Sequence, residues 1–163
     1  VDVLVLAGLY TARVIAGAAA TGLPASFWLL AFSMFIFLSL ALAKRYAELD
    51  GVRALGQQVA AGRNWRVDDL PLIQSLGVAS GLAGVVVLAL YINSPEAQRL
   101  YTEQSVLWLV CPILLYWITR VWFKTHRGEM DDDPVVFAIR DPVSLGTGVA
   151  VVLVVTAAIL GPL

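Results

Sequence analysis

The sequence predicts an all-α membrane protein, a polytopic helix bundle that forms one transmembrane domain over residues 1–163. Hydrophobic residues make up 60% of the chain and charged residues only 14%, whereas apolar residues are about half of a soluble domain. The mean hydropathy is +0.82. The charged residues are concentrated in connections between long apolar runs. These observations exclude a water-soluble core, and we expect no nucleic-acid partner.

Five apolar segments match the length of a bilayer crossing, which takes about 20 residues. They cover residues 3–21, 25–43, 70–92, 105–123 and 143–163. Gly22 and Pro24 separate the first two segments and predict a tight antiparallel hairpin. The tripeptide Asn93-Ser94-Pro95 ends the third segment in the same way. The chain starts without Met and has an odd number of predicted spans, so we expect it to be part of a larger protein.

Small residues and one proline predict how these helices pack. On the first helix, a row of small residues spaced four apart, here called the small-residue ladder, would let another backbone approach closely. It consists of Gly8, Ala12, Ala16 and Ala20. Gly77 and Gly81 form a GxxxG motif on the third helix. Pro112 lies in the fourth apolar run and predicts a kink, because proline removes a backbone donor and clashes with the preceding turn.

Lysine and arginine predict the orientation of the chain. Two connections are basic, whereas the other two offer only Arg99. The basic residues are Lys44, Arg45, Arg53, Arg63 and Arg66 after the second span, and Lys124, Arg127 and Arg140 after the fourth. Both basic connections should therefore be cytoplasmic, with the N-terminus inside and the C-terminus outside.

Arg13 lies halfway along the first predicted helix, at a depth where a guanidinium costs about 3 kcal/mol on insertion scales. It should face a polar interior that holds an anionic group. Two interpretations stay open, a structural ion pair with a carboxylate of another helix and a binding site for a substrate phosphate. Arg120 is one turn from the cytoplasmic end of its helix, so we expect its side chain to extend to the interface.

Two charge-rich segments carry the candidate chemistry. The first runs from Lys44 to Asp50, and within it Lys44 and Glu48 share a helix face. Taken alone, this pattern is typical of the basic flank of a membrane helix. The second segment runs from His126 to Pro134. It holds four carboxylates, at Glu129, Asp131, Asp132 and Asp133. Crowded carboxylates repel one another unless cations neutralise them, and oxygen ligands suit magnesium. A solvated acidic loop stays open as the alternative.

Three segments, in order along the chain, resemble the second half of the UbiA-superfamily integral membrane prenyltransferases. The resemblance is closest to the branch that includes decaprenyl-phosphate phosphoribosyltransferase. The segments are Tyr10–Gly17, Lys44–Leu49 (KRYAEL) and Phe137–Asp141. The resemblance implies nine transmembrane helices around a central cavity, of which this chain is similar to the last five. It also implies that the N-terminal half of the same fold is a partner.

The resemblance further implies roles for individual residues, because KRYAEL occupies the position of the second acidic motif of the family. The implied catalytic residues are Lys44, Arg45 and Glu48. The implied ligands of substrate phosphate are Arg13, Lys44, Arg45, Tyr46 and Arg140. The implied cofactor is Mg²⁺, and its implied ligands are Glu48, Asp50, Asp131 and Asp132. The first acidic motif of the family is absent from this sequence, so we expect no catalysis from this chain alone.

The implied reaction joins a polyprenyl phosphate to the ribosyl group of phosphoribosyl diphosphate, while magnesium diphosphate leaves. One alternative is the transfer of a prenyl group from a prenyl diphosphate to an aromatic or other lipophilic acceptor. A second is a non-catalytic membrane subunit with a role in transport or structure. The expected location is a bacterial plasma membrane, where the partners would be membrane lipid and these lipid and sugar phosphates.

Overall fold

The computed structural model describes residues 2–21, 26–56, 65–130 and 133–161. This part of the chain is built from helices. They are α1 (Asp2–Thr21), α2 (Phe27–Ala54), α3 (Leu70–Ile92), α4 (Pro95–Leu100), α5 (Val110–His126), α6 (Pro134–Arg140) and α7 (Pro142–Leu160), with 3₁₀ helices at Val67–Asp69 and Gln104–Leu109. The predicted hairpin residues Gly22 and Pro24 lie outside the described residues.

Four helical stretches of the described chain are long and apolar enough to cross a membrane. They are Phe27–Ala54, Val67–Ile92, Gln104–His126 and Pro142–Leu160. A shorter apolar helix, Val3–Gly17, precedes them. These lengths and compositions are those of an integral membrane protein. The prediction of an all-α polytopic membrane bundle is confirmed at this level.

The end of α2 departs most from the predicted spans. The second span was expected to end at residue 43, whereas the helix continues to Ala54. Charged residues can continue it because they pair along its surface three residues apart, Arg45 with Glu48 and Asp50 with Arg53. The first charged segment is therefore an extension of a membrane helix and not a loop.

Pro112 does not interrupt the middle of a helix. The fourth span begins as a 3₁₀ helix, and Pro112 is the third residue of α5. A proline is tolerated in the first turn because its missing N–H would have no helical partner there. Pro112 therefore lies close to the change from 3₁₀ to α-helix within the fourth span, and the expected kink stays a prediction.

The short helices α4 and α6 were not predicted. Each begins with a proline, and each is preceded by a residue whose side chain caps it. The Ser94 hydroxyl accepts a hydrogen bond from the Ala97 N–H at 3.3 Å. The Asp133 carboxylate accepts one from the Val135 N–H at 2.9 Å. The sequence pattern of a cap followed by proline therefore marks both starts, although neither helix is long enough to show periodicity.

The glycines of α3 let two other helices approach closely. A Cβ atom at Gly77 would lie 2.0 Å from Cζ2 of Trp122 on α5. A Cβ at Gly81 would lie 2.7 Å from Cγ2 of Ile118 and 2.9 Å from Oγ of Ser39 on α2. Ser39 joins all three helices, because it donates to the Gly77 carbonyl at 2.7 Å and accepts from Trp122 Nε1 at 3.0 Å. The predicted packing role of the GxxxG motif is confirmed.

The small-residue ladder of α1 behaves differently. Gly8, Ala12, Ala16 and Ala20 are all exposed. A Cβ atom at Gly8 would meet no atom within 4 Å. The expectation that this ladder packs against another helix is therefore wrong for the part of the chain that the structure describes.

Helix α7 is held near both of its ends. Trp117 of α5 donates through Nε1 to the Ser144 hydroxyl at 3.0 Å. At the other end, Thr102 donates to the Ile159 carbonyl at 2.9 Å and the Glu103 N–H donates to the Ala158 carbonyl at 3.0 Å. These bonds hold α7 beside α5 and place its start next to the charged end of the bundle.

Candidate functional site

The two charge-rich segments meet at one end of the helix bundle. Lys44 Nζ of α2 lies 3.0 Å from Asp133 Oδ2, the residue that caps α6. The Tyr46 hydroxyl lies 3.0 Å from His126 Nδ1 at the end of α5, and the two atoms share a hydrogen bond. The prediction that the two segments come together is confirmed by these two contacts. We call Lys44, Arg45, Tyr46, Glu48 and Asp133 the charged cluster.

Burial divides the charged cluster into an anchored part and an accessible part. Arg45 and Tyr46 are buried, and Arg45 forms an ion pair with Glu48. Tyr46 packs edge-on against Trp122, with the ring centroids 6.3 Å apart. The side chains of Lys44 and Asp133 are 34% and 32% exposed, and that of Glu48 is 33% exposed. The accessible groups of the cluster are therefore one ammonium and two carboxylates.

The Lys44–Asp133 pair is weak enough to be exchanged. The pair is a hydrogen bond of 3.0 Å between two partly exposed charged groups, and such a pair contributes only about 0.2 to 1 kcal/mol. Burial acts to raise the pKa of Asp133, but the Val135 N–H and the Lys44 ammonium outweigh it and hold the pKa below its ordinary value. Asp133 is thus ionised at neutral pH, and an incoming phosphate can compete with it for Lys44.

Arg13 adjoins the charged cluster through an aromatic ring. Its guanidinium lies 5.1 Å from the centroid of the Tyr10 ring, a distance typical of a cation–π contact. The Tyr10 ring stacks on Phe37 at 5.2 Å. Tyr10 also lines a cavity of about 10 Å³ together with Lys44 and Asp133. Arg13 itself is exposed, so it lies on the outer face of α1 and one aromatic residue away from the cluster.

The other predicted phosphate and metal ligands are more scattered. Arg140 is exposed at the last residue of α6. Asp50 forms an ion pair with Arg53 on the far turn of α2. Asp131 and Asp132 lie outside the described residues. The contacts described for Arg140 and Asp50 therefore do not join them to Lys44, and the roles assigned to all four residues stay predictions.

The described residues fit a magnesium ion that is shared with a substrate, not one enclosed by protein. No three His, Cys, Asp or Glu side chains within residues 2–21, 26–56, 65–130 and 133–161 come close enough to hold a metal ion. Magnesium in phosphate-transfer sites is commonly bound by one or two carboxylates and the substrate phosphates, and it keeps several waters. Glu48 is partly exposed and shares a face with Lys44, so it matches that requirement.

Arg120 forms a second ion pair beside the cluster, which the sequence did not predict. Its guanidinium donates two hydrogen bonds to the Asp141 carboxylate, at 2.6 and 2.9 Å. Asp141 also caps α7 by accepting from the Ser144 N–H at 2.7 Å. Arg120 lies 5.6 Å from the Phe137 ring of α6, and its side chain is only 18% exposed. The expectation that Arg120 extends to the interface is therefore wrong, because a carboxylate within the bundle binds it.

The ion pair with Arg120 makes the contribution of Asp141 to stability dependent on pH. Hydrogen bonds from Arg120 lower the pKa of Asp141 from 3.8 to about 2. Because the unfolded state binds the proton more tightly, this contribution is complete above pH 4 and is lost as the pH falls towards 2. Asp141→Asn should lower the free energy of unfolding by about 1.5 kcal/mol at pH 7, the lower end for hydrogen bonds to a charged group, because asparagine can still accept one of them.

Thermal unfolding in detergent micelles at pH 7, 4 and 3 would measure this effect. The difference between Asp141→Asn and the parent protein should stay nearly the same from pH 7 to pH 4 and should narrow at pH 3. A difference that stays constant from pH 7 to pH 3 would contradict the assignment of this pH dependence to Asp141.

Several residues of the site were given no role from the sequence. Asp133 was noted only as part of an acidic run, although an Asp before a proline is a recognisable helix cap. His126 offered no local signal, because a lone histidine at a helix face is common, and its contact with Tyr46 depends on which helices are neighbours. Tyr10 and Arg13 are three residues apart on α1, so their contact is local to one helix.

Two bacterial proteins are similar to this chain. The uncharacterized protein y4nM of Sinorhizobium fredii is 36% identical over 144 residues, which cover 88% of this chain and 28% of that protein. The nodulation protein NoeC of Azorhizobium caulinodans is 35% identical over 144 residues, which cover 88% of this chain and 47% of that protein. The chain thus spans less than half of the length of either relative. No family model matches the chain, and no solved structure does so either.

Proposed function

We propose that this chain is the C-terminal membrane part of a UbiA-type transferase, which moves a phosphoribosyl group from phosphoribosyl diphosphate to a polyprenyl phosphate. One observation carries the proposal. An accessible ammonium and two accessible carboxylates, at Lys44, Glu48 and Asp133, meet at one end of an otherwise apolar helix bundle. Such a reaction needs charged groups of both signs where a lipid phosphate and a water-soluble phosphate come together.

Each residue of the charged cluster would have a different role in binding the donor phosphates and Mg²⁺. Lys44 would exchange Asp133 for a phosphate oxygen of the donor, because the partly exposed ion pair contributes little and the donor phosphates carry more negative charge than one carboxylate. Arg45 is buried beside Glu48 and would supply fixed positive charge. Glu48 would hold Mg²⁺ together with the donor phosphates, and the ion would neutralise charge on the leaving diphosphate when bound.

The proposed reaction balances without a further reactant. An ionised oxygen of the polyprenyl phosphate forms a bond to the anomeric carbon of the ribosyl group. The bond from that carbon to the diphosphate oxygen breaks, and the diphosphate leaves with the electron pair. The protein groups therefore need to orient two anions and reduce their mutual repulsion, which favours lysine and arginine at the site.

The two relatives support a proposal for the cellular location of the protein. Both relatives come from bacteria. The name of NoeC refers to nodulation and names no reaction. We therefore propose a bacterial plasma membrane as the location, with the charged end of the bundle on the cytoplasmic side, as the distribution of lysine and arginine favours.

The intact protein in liposomes would test the proposal, with labelled phosphoribosyl diphosphate, a polyprenyl phosphate and Mg²⁺. We expect label to enter the lipid-soluble fraction and diphosphate to be released in equal amount. A parallel reaction would use a labelled prenyl diphosphate and an aromatic acceptor. Turnover in that reaction alone would replace the proposal with prenyl transfer, and turnover in neither would favour a non-catalytic membrane subunit.

Lys44→Gln should weaken donor binding without loss of stability. We expect the KM for phosphoribosyl diphosphate to rise about 10- to 100-fold, the equivalent of one hydrogen bond to a charged group. The free energy of unfolding should change by less than about 1 kcal/mol, because the pair with Asp133 is partly exposed.

Lys124→Gln is the matched control, since Lys124 lies at the same end of the bundle, 3.8 Å from Glu129. Its KM should stay close to that of the parent protein. Equal increases in KM for both lysine variants would contradict a specific role for Lys44.

A further inference from the structure

A groove opens between α3 and α5, separate from the small cavity beside Lys44. It has a volume of about 200 Å³. Its lining includes Gln74, Val78, Leu82, Thr119, Phe123 and His126. The side chains of Leu82 and Phe123 are 41% and 56% exposed. Because both helices are long and apolar enough to span a membrane, bilayer lipid can reach the open side of this groove.

The groove is polar at one end and apolar at the other. Gln74 lies near the start of α3 and His126 is the last residue of α5, so both are at the charged end of the bundle. Leu82 is eight residues after Gln74, which is about 12 Å further along the helix. At that depth the lining is mainly hydrocarbon. The groove therefore has the polarity of a phospholipid, with a polar head above an acyl chain.

Two basic side chains lie at the polar end of the groove. The ring of His126 lines it, and Nδ1 is bonded to the Tyr46 hydroxyl. When Tyr46 donates this bond, the proton of the neutral imidazole is on Nε2, which can then donate to a phosphate oxygen. The Arg127 guanidinium lies 5.6 Å from the Phe123 ring, which also lines the groove. Basic pockets of this kind between membrane helices bind anionic head groups.

We propose that this groove binds an anionic phospholipid of the bilayer, with an acyl chain between α3 and α5 and the phosphate at His126 and Arg127. This groove is a different cavity from the one that Lys44 and Asp133 line, although His126 contacts Tyr46 of the charged cluster. The charge at the mouth selects an anionic head group, and the apolar depth accepts hydrocarbon.

Lipid binding to the purified chain in detergent would test the proposal. Phosphatidylglycerol and phosphatidylcholine with identical acyl chains are the probes, and native mass spectrometry counts the lipids that are retained. We expect phosphatidylglycerol to be retained preferentially. Arg127→Gln should weaken that retention about fivefold, the effect of one basic residue near an anionic lipid. Arg99→Gln should have no effect, because Arg99 is exposed on α4, which follows the other end of α3.

A second pair of variants tests the groove itself. Leu82→Trp should fill its apolar part and reduce the retention of phosphatidylglycerol, whereas Leu76→Trp, on an exposed part of α3 that does not line the groove, should not. Equal retention of the two lipids by the parent chain would overturn the proposal. An unchanged preference for phosphatidylglycerol in Arg127→Gln would also overturn it. An equal reduction of this preference by Leu82→Trp and Leu76→Trp would do the same.

Discussion

Glu48→Gln in the intact protein is expected to lower turnover about a thousandfold or more, since an ion that stabilises departing charge contributes several kcal/mol to the transition state. Glutamine keeps the size of the side chain and one acceptor oxygen, so it can still accept a hydrogen bond from Arg45. What it loses is the negative charge that would hold Mg²⁺ beside the substrate phosphates. Helicity and membrane insertion should stay those of the parent protein.

The measurement is the release of diphosphate as a function of Mg²⁺ concentration. Any residual activity of Glu48→Gln should need more Mg²⁺ than the parent protein needs. Asp68→Asn is the control, because Asp68 is an exposed carboxylate just before α3 and outside the charged cluster. Unchanged turnover in Glu48→Gln, or an equal loss in Asp68→Asn, would remove Glu48 from the proposed metal site.

Gly77→Ala is expected to lower the free energy of unfolding by about 1 to 3 kcal/mol, the usual effect of overpacking a core. The new methyl group would lie 2.0 Å from the Trp122 ring and 3.1 Å from Cβ of Leu42. Trp122 cannot move away freely, because it is buried and donates to Ser39. Either α3 shifts away from α5, or this hydrogen bond breaks.

Thermal unfolding in detergent, followed by the loss of helicity, would measure the change. Gly148→Ala on α7 is the matched control, since a Cβ there would meet no atom within 4 Å. That variant should be as stable as the parent protein or more stable by about 0.5 to 1 kcal/mol, because alanine favours helix over glycine. If both variants unfold at the same temperature, the close approach at Gly77 does not determine stability.

The sequence predicts the membrane helices better than their ends. The predicted third span coincides with α3, because Asn93 and Pro95 end the apolar run and the helix together. The predicted end of the second span is wrong for α2. Hydropathy reports where apolar residues stop, whereas the helix continues through charged residues that pair along its surface. The short helices α4 and α6 have too few turns for a periodic pattern, although their caps are visible.

The candidate site is predictable only in part. That Lys44 should meet the acidic segment follows from placing both connections on one side of a membrane. Which carboxylate it meets does not follow, since Lys44 and Asp133 are 89 residues apart and the cap pattern of Asp133 before Pro134 does not reveal a partner on another helix. The ion-pair partner of Arg120 could not be predicted either. Its partner Asp141 is visible as the cap of α7, but only the packing of α5 beside α7 joins the two.

The length of α2 sets the height at which the charged cluster lies. Its 28 residues extend for about 42 Å, whereas the hydrocarbon core of a bilayer is about 30 Å thick. A helix that starts at one edge of that core reaches the opposite edge near Tyr46, so Lys44 would lie just inside the hydrocarbon and Glu48 just outside it. A polyprenyl phosphate would reach them without rising out of the bilayer, and a sugar diphosphate would reach them without leaving water.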